Sequence, residues 1–394
     1  MHRCARSMRH TQSRAVAVAM LVAAFARPCA AEVEDPLGAL LGPAIEPALE
    51  TTLRRQAAER QYSDSDFPLP AEAFAEFRGA VTSALERALG LESWVVRSPR
   101  GPESPIAGRF VDRILGTIVR DDVRMEVHAV EIRPSGLRVP MVVCLPSGSE
   151  KRPGIVVLSG HSLHGLRDLV LDLDSYQRGI AARLARAGFV TVAVEKVDAG
   201  YLAGTFGSGS DEEFLAPLHL ALGTTTRTVQ LQAALVATEI LARHPRVDPT
   251  RIGATGVSLG GWLAVQTALL NDRIGAVADF GRKTLGVPPL GEATRPVGPV
   301  DLCHVLPGLL ALGDRNVLAL AYAPRPLLAG HGRKDAESSR QGPAHYERLL
   351  VRQYAALGQR SRLEYRVHEG GDTMPEELIV DYFRRVLDDE RPQR

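Results

Sequence analysis

Cysteine is scarce in this sequence, and strong charge imbalance and long hydrophobic runs are missing. The chain of 394 residues has four cysteines and no Cys-x-x-Cys pair, which excludes a disulfide framework and leaves no zinc or redox motif. Its formal net charge is only +1, so it lacks the basic surface of a nucleic-acid-binding protein. Apolar residues make up 45% and charged residues 24%, which excludes a disordered chain, a collagen-like fibre and a polytopic membrane protein.

The first 31 residues have the pattern of a secretory signal peptide. Residues 1–14 contain four arginines and no acidic residue, and residues 15–26 form an unbroken apolar run that is too short to span a bilayer. Small residues follow and predict cleavage after Ala31. No Leu-x-x-Cys pattern precedes Cys29, so no lipid anchor is expected. We therefore expect a periplasmic or extracellular protein.

Cleavage would change the charge and the cysteine count. Five of the 47 basic residues and none of the 46 acidic residues lie in residues 1–31, which leaves 42 basic residues and a net charge of −4. Nucleic acid and anionic membranes thus become poor partners. Only Cys144 and Cys303 would remain, either as one disulfide or as two free thiols.

Residues 32–108 are predicted to form a helical N-terminal segment. Ile45–Arg60 and Ala71–Leu89 place Leu, Ala and Phe at helical spacing. Ser98–Pro105 is rich in Ser, Pro and Gly, which predicts a linker or turn. The pattern changes after residue 108, and residues 109–394 are predicted to form the main domain.

That domain is predicted to have an α/β fold, with a mostly parallel mixed sheet and helices on both faces. Val123–Ile132 and Leu137–Leu145 flank a turn and predict an antiparallel pair. Pro- and Gly-rich residues 281–323 interrupt the later pattern and predict an insertion over the C-terminal edge of the sheet. Further strands are predicted at Gly154–Leu158, Phe189–Glu195, Arg251–Val257, Ile274–Asp279, Pro326–Ala329 and Arg362–His368, and helices at Ser175–Ala187, Thr228–His244, Leu259–Leu270, Pro343–Leu357 and Pro375–Leu387.

The central motif is Gly-Val-Ser-Leu-Gly-Gly at residues 256–261. It joins a predicted buried strand to a predicted helix. A serine nucleophile must sit on such a strained turn so that its Oγ projects, and glycines two residues to either side leave room for it. The motif therefore indicates Ser258 as a nucleophile, although a tight turn with an incidental serine has the same pattern.

A second loop, Ser159–Gly165, follows the predicted strand Gly154–Leu158 and contains His161 and His164. Acyl transfer needs backbone N–H groups aimed at the developing oxyanion. We expect one from Leu259, directly after Ser258, and another from this loop near His161. No third ligand is signalled beside the two histidines, so no metal site and no cofactor are predicted.

The remaining polar candidates lie in the last two predicted strand-to-loop junctions. Asp335 follows one strand, where the acid of a catalytic triad belongs after the nucleophile in chain order. The final loop begins after His368 and should supply the base, but it contains Gly-Gly-Asp at residues 370–372.

The chain resembles the α/β-hydrolase superfamily, and within it bacterial proteins of the acetyl xylan esterase or dienelactone-hydrolase-like type. Carried over by this resemblance, Ser258 is the nucleophile, Asp335 the acid and Gly160-His161 the oxyanion loop. The resemblance lies in GIVVLSGHS (154–162), RHPRVDPTRIGATGVSLGG (243–261), DLCHVLPGLL (301–310), LALAYAPRPLLAGHGRKD (318–335) and YAALGQRSRLEYRVHEGG (354–371).

Three further points come from the resemblance. Cys303 with Pro307-Gly308 matches a signature on the lid side of the family's site, so Asp301–Leu310 is expected over the Ser258 pocket. Lys196–Tyr201 departs from the family's usual sequence after the preceding strand. Asp372 stands where the family has its catalytic histidine.

Three functional hypotheses follow. The first is a serine hydrolase of carboxylic esters with acetyl or other small acyl groups, impaired by Asp372. The second is a non-catalytic binding protein that holds a small acid or sugar derivative in the same pocket. The third is an enzyme whose base is His368 or His331 instead. In each case the expected partner is a small molecule, and the sequence gives no oligomeric state.

Export is directly testable. N-terminal sequencing of protein recovered from the periplasm or the medium should start near Glu32, because the signal pattern ends at Ala31. An intact Met1 in a cytosolic pool would contradict this expectation.

Overall fold

The structure is a computed structural model that describes residues 62–97, 104–197, 199–203, 211–281, 306–313, 316–335 and 342–388. All of these residues belong to one compact unit, Ala57–Arg394. The predicted signal peptide, the helix expected at Ile45–Arg60, and Cys303 lie outside the described residues, as does most of the predicted linker.

Nine strands form one mixed sheet, with the spatial order β1-β2-β3-β5-β4-β6-β7-β8-β9. The first three strands and β5 pair antiparallel in succession, and the pairs from β5 to β9 are all parallel. This confirms the predicted mostly parallel sheet. The strands are β1 (Phe110–Arg120), β2 (Val123–Ile132), β3 (Leu137–Leu145), β4 (Arg152–Leu158), β5 (Val190–Val194), β6 (Val247–Val257), β7 (Ile274–Phe280), β8 (Leu327–Gly332) and β9 (Leu363–His368).

The helices connect the strands and cover the two faces of the sheet, where two clusters of buried apolar side chains form the core. Among the described residues they are α1 (Ala71–Leu89), α2 (Leu166–Val170), α3 (Ile180–Arg186), α4 (Asp211–Ala221), α5 (Thr226–Arg243), α6 (Leu259–Leu270), α7 (Leu309–Leu312), α8 (Asn316–Tyr322), α9 (Gly342–Ala356) and α10 (Glu376–Phe383). None of the described helices is both long and apolar enough to cross a membrane.

The N-terminal helix α1 has the predicted bounds and packs into the main core. Phe77 and Val81 are fully buried, and they share one apolar cluster with residues of the central strands. Gly90 adopts the left-handed conformation and ends the helix. Its N–H donates hydrogen bonds to carbonyl groups of the last helical turn. Residues 62–97 are thus an integral part of this core.

The helix predicted at Ser175–Ala187 is wrong at its start. Arg178 and Gly179 both have φ of +58°, a left-handed conformation that an α-helix cannot contain. The helix α3 therefore begins only at Ile180. As a consequence, residues 175–179 form a turn, which brings Tyr176 and Gln177 to the loop after β4.

Five of the strands and helices named above, β1, α2, α4, α7 and α8, were not predicted from the sequence. The outer strand β1 was missed because its side chains are exposed on both faces, so Ile114 and Val119 give no buried periodicity. Within the predicted insertion, Asn316–Tyr322 forms the buried helix α8. Residues 306–313 of the insertion lie against α1. The predicted position of Cys303 over Ser258 falls outside the described residues.

One buried carboxylate joins the loops at the C-terminal edge of β4 and β5. Glu195 is 1% exposed, and its Oε1 accepts hydrogen bonds from the N–H groups of Leu166, at 2.9 Å, and Lys196, at 3.0 Å. Its Oε2 accepts one from Tyr201 at 3.0 Å. Burial raises the pKa of Glu195 to about 7, although these three donors favour the charged form.

The raised pKa of Glu195 predicts a pH-dependent stability. Because the folded protein holds this proton more tightly than the unfolded chain, the stabilising contribution is complete below about pH 4.5 and is lost as the pH rises through 7. The Glu195→Gln variant should therefore gain stability relative to wild type across this window, on the order of 2–3 kcal/mol. Urea unfolding at several pH values measures the difference. The exposed control Glu92→Gln should run parallel to wild type, and parallel curves for Glu195→Gln would contradict the prediction.

Candidate active site

Ser258 lies at a sharp turn between β6 and α6. Its backbone has φ +55° and ψ −126°, a conformation that residues other than glycine rarely adopt. The Ser258 N–H donates to the carbonyl of Phe280 on the neighbouring strand at 3.1 Å. The residue is 4% exposed. The strand, the turn and the helix Leu259–Leu270 are those predicted from the sequence.

The two glycines that flank this turn are required by close contacts. A Cβ on Gly256 would lie 2.3 Å from the carbonyl carbon of Gly260, and a Cβ on Gly260 would lie 2.2 Å from the carbonyl oxygen of Leu158. No real Cβ tolerates such distances, so any larger residue would displace the backbone. The glycine spacing read from the sequence therefore has a direct steric cause.

The loop after β4 lies against this turn. The strand order reverses between β4 and β6, where β5 lies on one side of β4 and β6 on the other, and such points are the usual ligand sites of open α/β sheets. A Cβ on Gly160 would lie 2.6 Å from the carbonyl oxygen of Val257 and 3.2 Å from Ser258 Cβ. The predicted nucleophile and the predicted oxyanion loop are thus brought together.

A buried glutamine holds this loop in place. Gln177 is fully buried; its Oε1 accepts from the Gly160 N–H at 3.0 Å, and its Nε2 donates to Ser159 Oγ at 3.1 Å. The Gly160 N–H is therefore occupied. The N–H of His161 and that of Leu259, which is the first residue of α6, are the candidate oxyanion donors.

The rest of the loop is fixed by Ser162. Its hydroxyl donates a short hydrogen bond to the Asp168 carboxylate and accepts from the N–H groups of His164, at 3.1 Å, and Gly165, at 3.0 Å. These hydrogen bonds hold the backbone of the loop in place. Among the described residues, no group of three or more His, Cys, Asp or Glu side chains is placed to hold a metal ion.

Asp335 and Asp372 lie in neighbouring loops at the same edge of the sheet. The Arg333 N–H donates to the carbonyl of His368 at 2.8 Å, and the Lys334 N–H donates to that of Gly370 at 2.9 Å. Both carboxylates are half-buried. The acid predicted from the sequence and the residue in the base position are thus carried by two loops that are hydrogen-bonded to each other.

His368 is not oriented as the base of a triad. Its Nδ1 accepts the Gly370 N–H at 3.2 Å, so that nitrogen cannot also donate to a carboxylate. Its ring packs edge-on against Phe280, with ring centroids 5.9 Å apart. Burial lowers the pKa of His368, and the Asp335 carboxylate opposes that shift. Asp335 therefore lies near enough to this imidazole to act on it electrostatically.

His331 is held in a different network. Its Nδ1 lies 3.1 Å from the hydroxyl of Tyr365, which donates to the carbonyl of Pro343 at 3.2 Å. Among the described residues, no hydrogen bond joins an imidazole to the Ser258 hydroxyl. The geometry therefore gives no imidazole partner for Ser258 within that part of the chain.

Tyr176 is a site residue that the sequence did not indicate. Its hydroxyl lies 2.5 Å from the position of a Cβ on Gly160, a position that Ser258 Cβ also borders. The Tyr176 carbonyl accepts the Met374 N–H at 2.8 Å, which ties it to the loop of Asp372. No motif surrounds Tyr176, and it enters the site only because α3 starts late.

The comparisons with known proteins agree with the observed fold. Residues 139–299 match the model of the Dienelactone hydrolase family. No curated protein matches the sequence. Among solved structures, the chain is similar to a putative acetyl xylan esterase from Bacteroides fragilis NCTC 9343, with a TM-score of 0.68 and 15% identity over 88% of this chain and 95% of that one.

Two other esterase structures share the fold. Methylesterase BT1017 has a TM-score of 0.62 and 22% identity over 82% of this chain, which spans 66% of that protein's length. A glucuronoyl esterase from Solibacter usitatus has a TM-score of 0.55 and 13% identity over 80% of this chain and 93% of that one. The resemblance read from the sequence is confirmed: the chain shares the α/β fold of these esterase structures, and its residues 139–299 match the dienelactone hydrolase family model.

Proposed function

We propose that this protein is a serine hydrolase of carboxylic esters that carry acetyl or other small acyl groups. The observation that carries the proposal is the strained turn at Ser258, packed against a loop whose N–H groups lie at the same corner of the sheet. A turn of this kind exposes a serine hydroxyl to an ester while backbone donors surround the carbonyl oxygen.

The reaction would proceed through an acyl-enzyme. Ser258 Oγ bonds to the ester carbonyl carbon, and its proton passes to the group at position 372. The electron pair of the carbonyl moves onto the oxygen, and the Leu259 and His161 N–H groups donate hydrogen bonds to that negatively charged oxygen. The electron pair then re-forms the carbonyl bond as the alcohol leaves with that proton. Water then attacks the acyl group in the same way and releases the acid and free Ser258.

The family match supports hydrolysis in general terms. It includes the turn at Ser258 and the loop after β4, but it ends at residue 299, before Asp335 and Asp372. The similar solved structures are named as esterases. The serine mechanism, the roles of Asp335 and Asp372, and the acyl preference are proposals that extend these likenesses.

In the proposed enzyme, Asp372 is poorly suited to act as the general base. A base for serine works best with a pKa near the working pH, whereas an ordinary aspartate has a pKa of about 3.9. A carboxylate at this position takes the serine proton poorly. We therefore propose that the wild type hydrolyses activated esters slowly, and that it does so in the periplasm or outside the cell with small-molecule esters as its partners.

Restoring an imidazole should raise the rate. In the Asp372→His variant, hydrolysis of 4-nitrophenyl acetate should be faster than in wild type by about 10²-fold or more, since a well-placed general base contributes at least that much. The loops of Asp335 and residue 372 are already hydrogen-bonded side by side, so the new imidazole has an acid beside it.

Two controls make this test specific. Asp372→Asn removes the charge without supplying a base and should give no gain. Ser258→Ala in the Asp372→His background should remove the gain. A wild type as fast as an ordinary esterase would contradict the impaired-base proposal and favour His368 or His331.

The second candidate function is ligand binding without catalysis, favoured by the lack of an imidazole hydrogen-bonded to Ser258 among the described residues. A folded Asp372→His variant with no gain in hydrolysis would support it over the esterase.

A further inference from the structure

Tyr176 carries a buried hydroxyl for which the structure provides no hydrogen-bond partner. A buried polar group without a partner is costly, and most native structures contain only a few. Such a group at a ligand-binding corner indicates that its partner arrives with the ligand. Tyr176 is therefore a candidate for direct contact with the substrate.

The position of this hydroxyl relative to Ser258 is defined by Gly160. The Tyr176 hydroxyl lies 2.5 Å from the place that a Gly160 Cβ would occupy, and Ser258 Cβ lies 3.2 Å from the same place. Because Gly160 has no side chain, the Tyr176 hydroxyl and Ser258 Cβ border the same small space. Any side chain at residue 160 would separate them.

The hydroxyl keeps its proton at neutral pH and is available as a hydrogen-bond donor. Burial raises the pKa of Tyr176 well above its usual value, and the carboxylates of Asp372 and Asp168 raise it further. The phenol therefore keeps its proton and cannot replace the missing base. It can donate one hydrogen bond, and it lies near Ser258 Cβ on the other side of the position that a Gly160 Cβ would occupy.

We propose that the Tyr176 hydroxyl donates a hydrogen bond to the substrate carbonyl oxygen as that oxygen becomes negative, beside the N–H groups of Leu259 and His161. This role rests on the proposed esterase function and adds a side-chain donor to its two backbone donors. The donated bond strengthens as Ser258 Oγ adds to the carbonyl, and no proton leaves the tyrosine.

The first test compares Tyr176→Phe with the parent enzyme, in wild type and in the Asp372→His background. With 4-nitrophenyl acetate, kcat should fall by about 10²-fold, as for removal of one oxyanion donor, while KM should change by less than about threefold. The midpoint of urea unfolding should stay or rise, because the lost hydroxyl made no hydrogen bond. The control Tyr382→Phe, at another buried tyrosine on α10, should leave kcat unchanged.

The second test does not need turnover. Phenylboronic acid becomes tetrahedral when it binds a serine hydroxyl and mimics the charged intermediate. Its affinity, measured by calorimetry, should fall at least tenfold in Tyr176→Phe and should disappear in Ser258→Ala. A protein without esterase activity that binds the boronate through Ser258 and Tyr176 would overturn the proposed function and keep the proposed contact.

Other outcomes overturn the contact itself. Unchanged kcat and unchanged boronate affinity in Tyr176→Phe, with both still dependent on Ser258, would exclude Tyr176 from the oxyanion site. A raised KM with unchanged kcat would show ground-state binding only and would also overturn the role. Absence of both hydrolysis and boronate binding in every variant would overturn the function and the contact together.

Discussion

The close approach of two backbone segments, at the ends of β4 and β6, is the constraint on which the rest of the site depends. Gly256, Gly260 and Gly160 have no side chains to keep these segments apart, and each missing Cβ would overlap a neighbouring atom. Because β5 and β6 lie on opposite sides of β4, this contact falls where the sheet topology opens a crevice. Ser258 and the candidate oxyanion donors are therefore brought together by this close packing of the backbone.

Around that contact, hydrogen bonds hold the loops of the candidate site in place. Gln177 and Ser162 fix the loop after β4 through hydrogen bonds, and Glu195 fixes its far end. The loops of Asp335 and Asp372 are held to each other by backbone hydrogen bonds that do not depend on either side chain. In the proposed enzyme, a carboxylate at residue 372 would alter the proton chemistry of the site while these backbone contacts stay in place.

The sequence predicted those parts of the fold in which local pattern and tertiary packing agree. β2, β3 and the helix after Ser258 have the predicted bounds because their apolar residues are buried, alternately along much of β2 and almost continuously in the second half of β3 and in the helix. β1 has no buried face, and the left-handed pair at Arg178 and Gly179 shortens a helix whose composition predicts more turns. Tyr176 could not be found from the sequence, since its proximity to Ser258 depends on that shortened helix and on a distant glycine.

The backbone at Ser258 also has a consequence for how stability and function are balanced. A non-glycine residue in such a conformation costs about 1–3 kcal/mol, and glycine would relieve most of that strain. If this corner served only to reverse the chain, a glycine would make a more stable protein. A serine at this position therefore lowers the stability of the fold, which is the cost expected where the proposed function requires a hydroxyl group at residue 258.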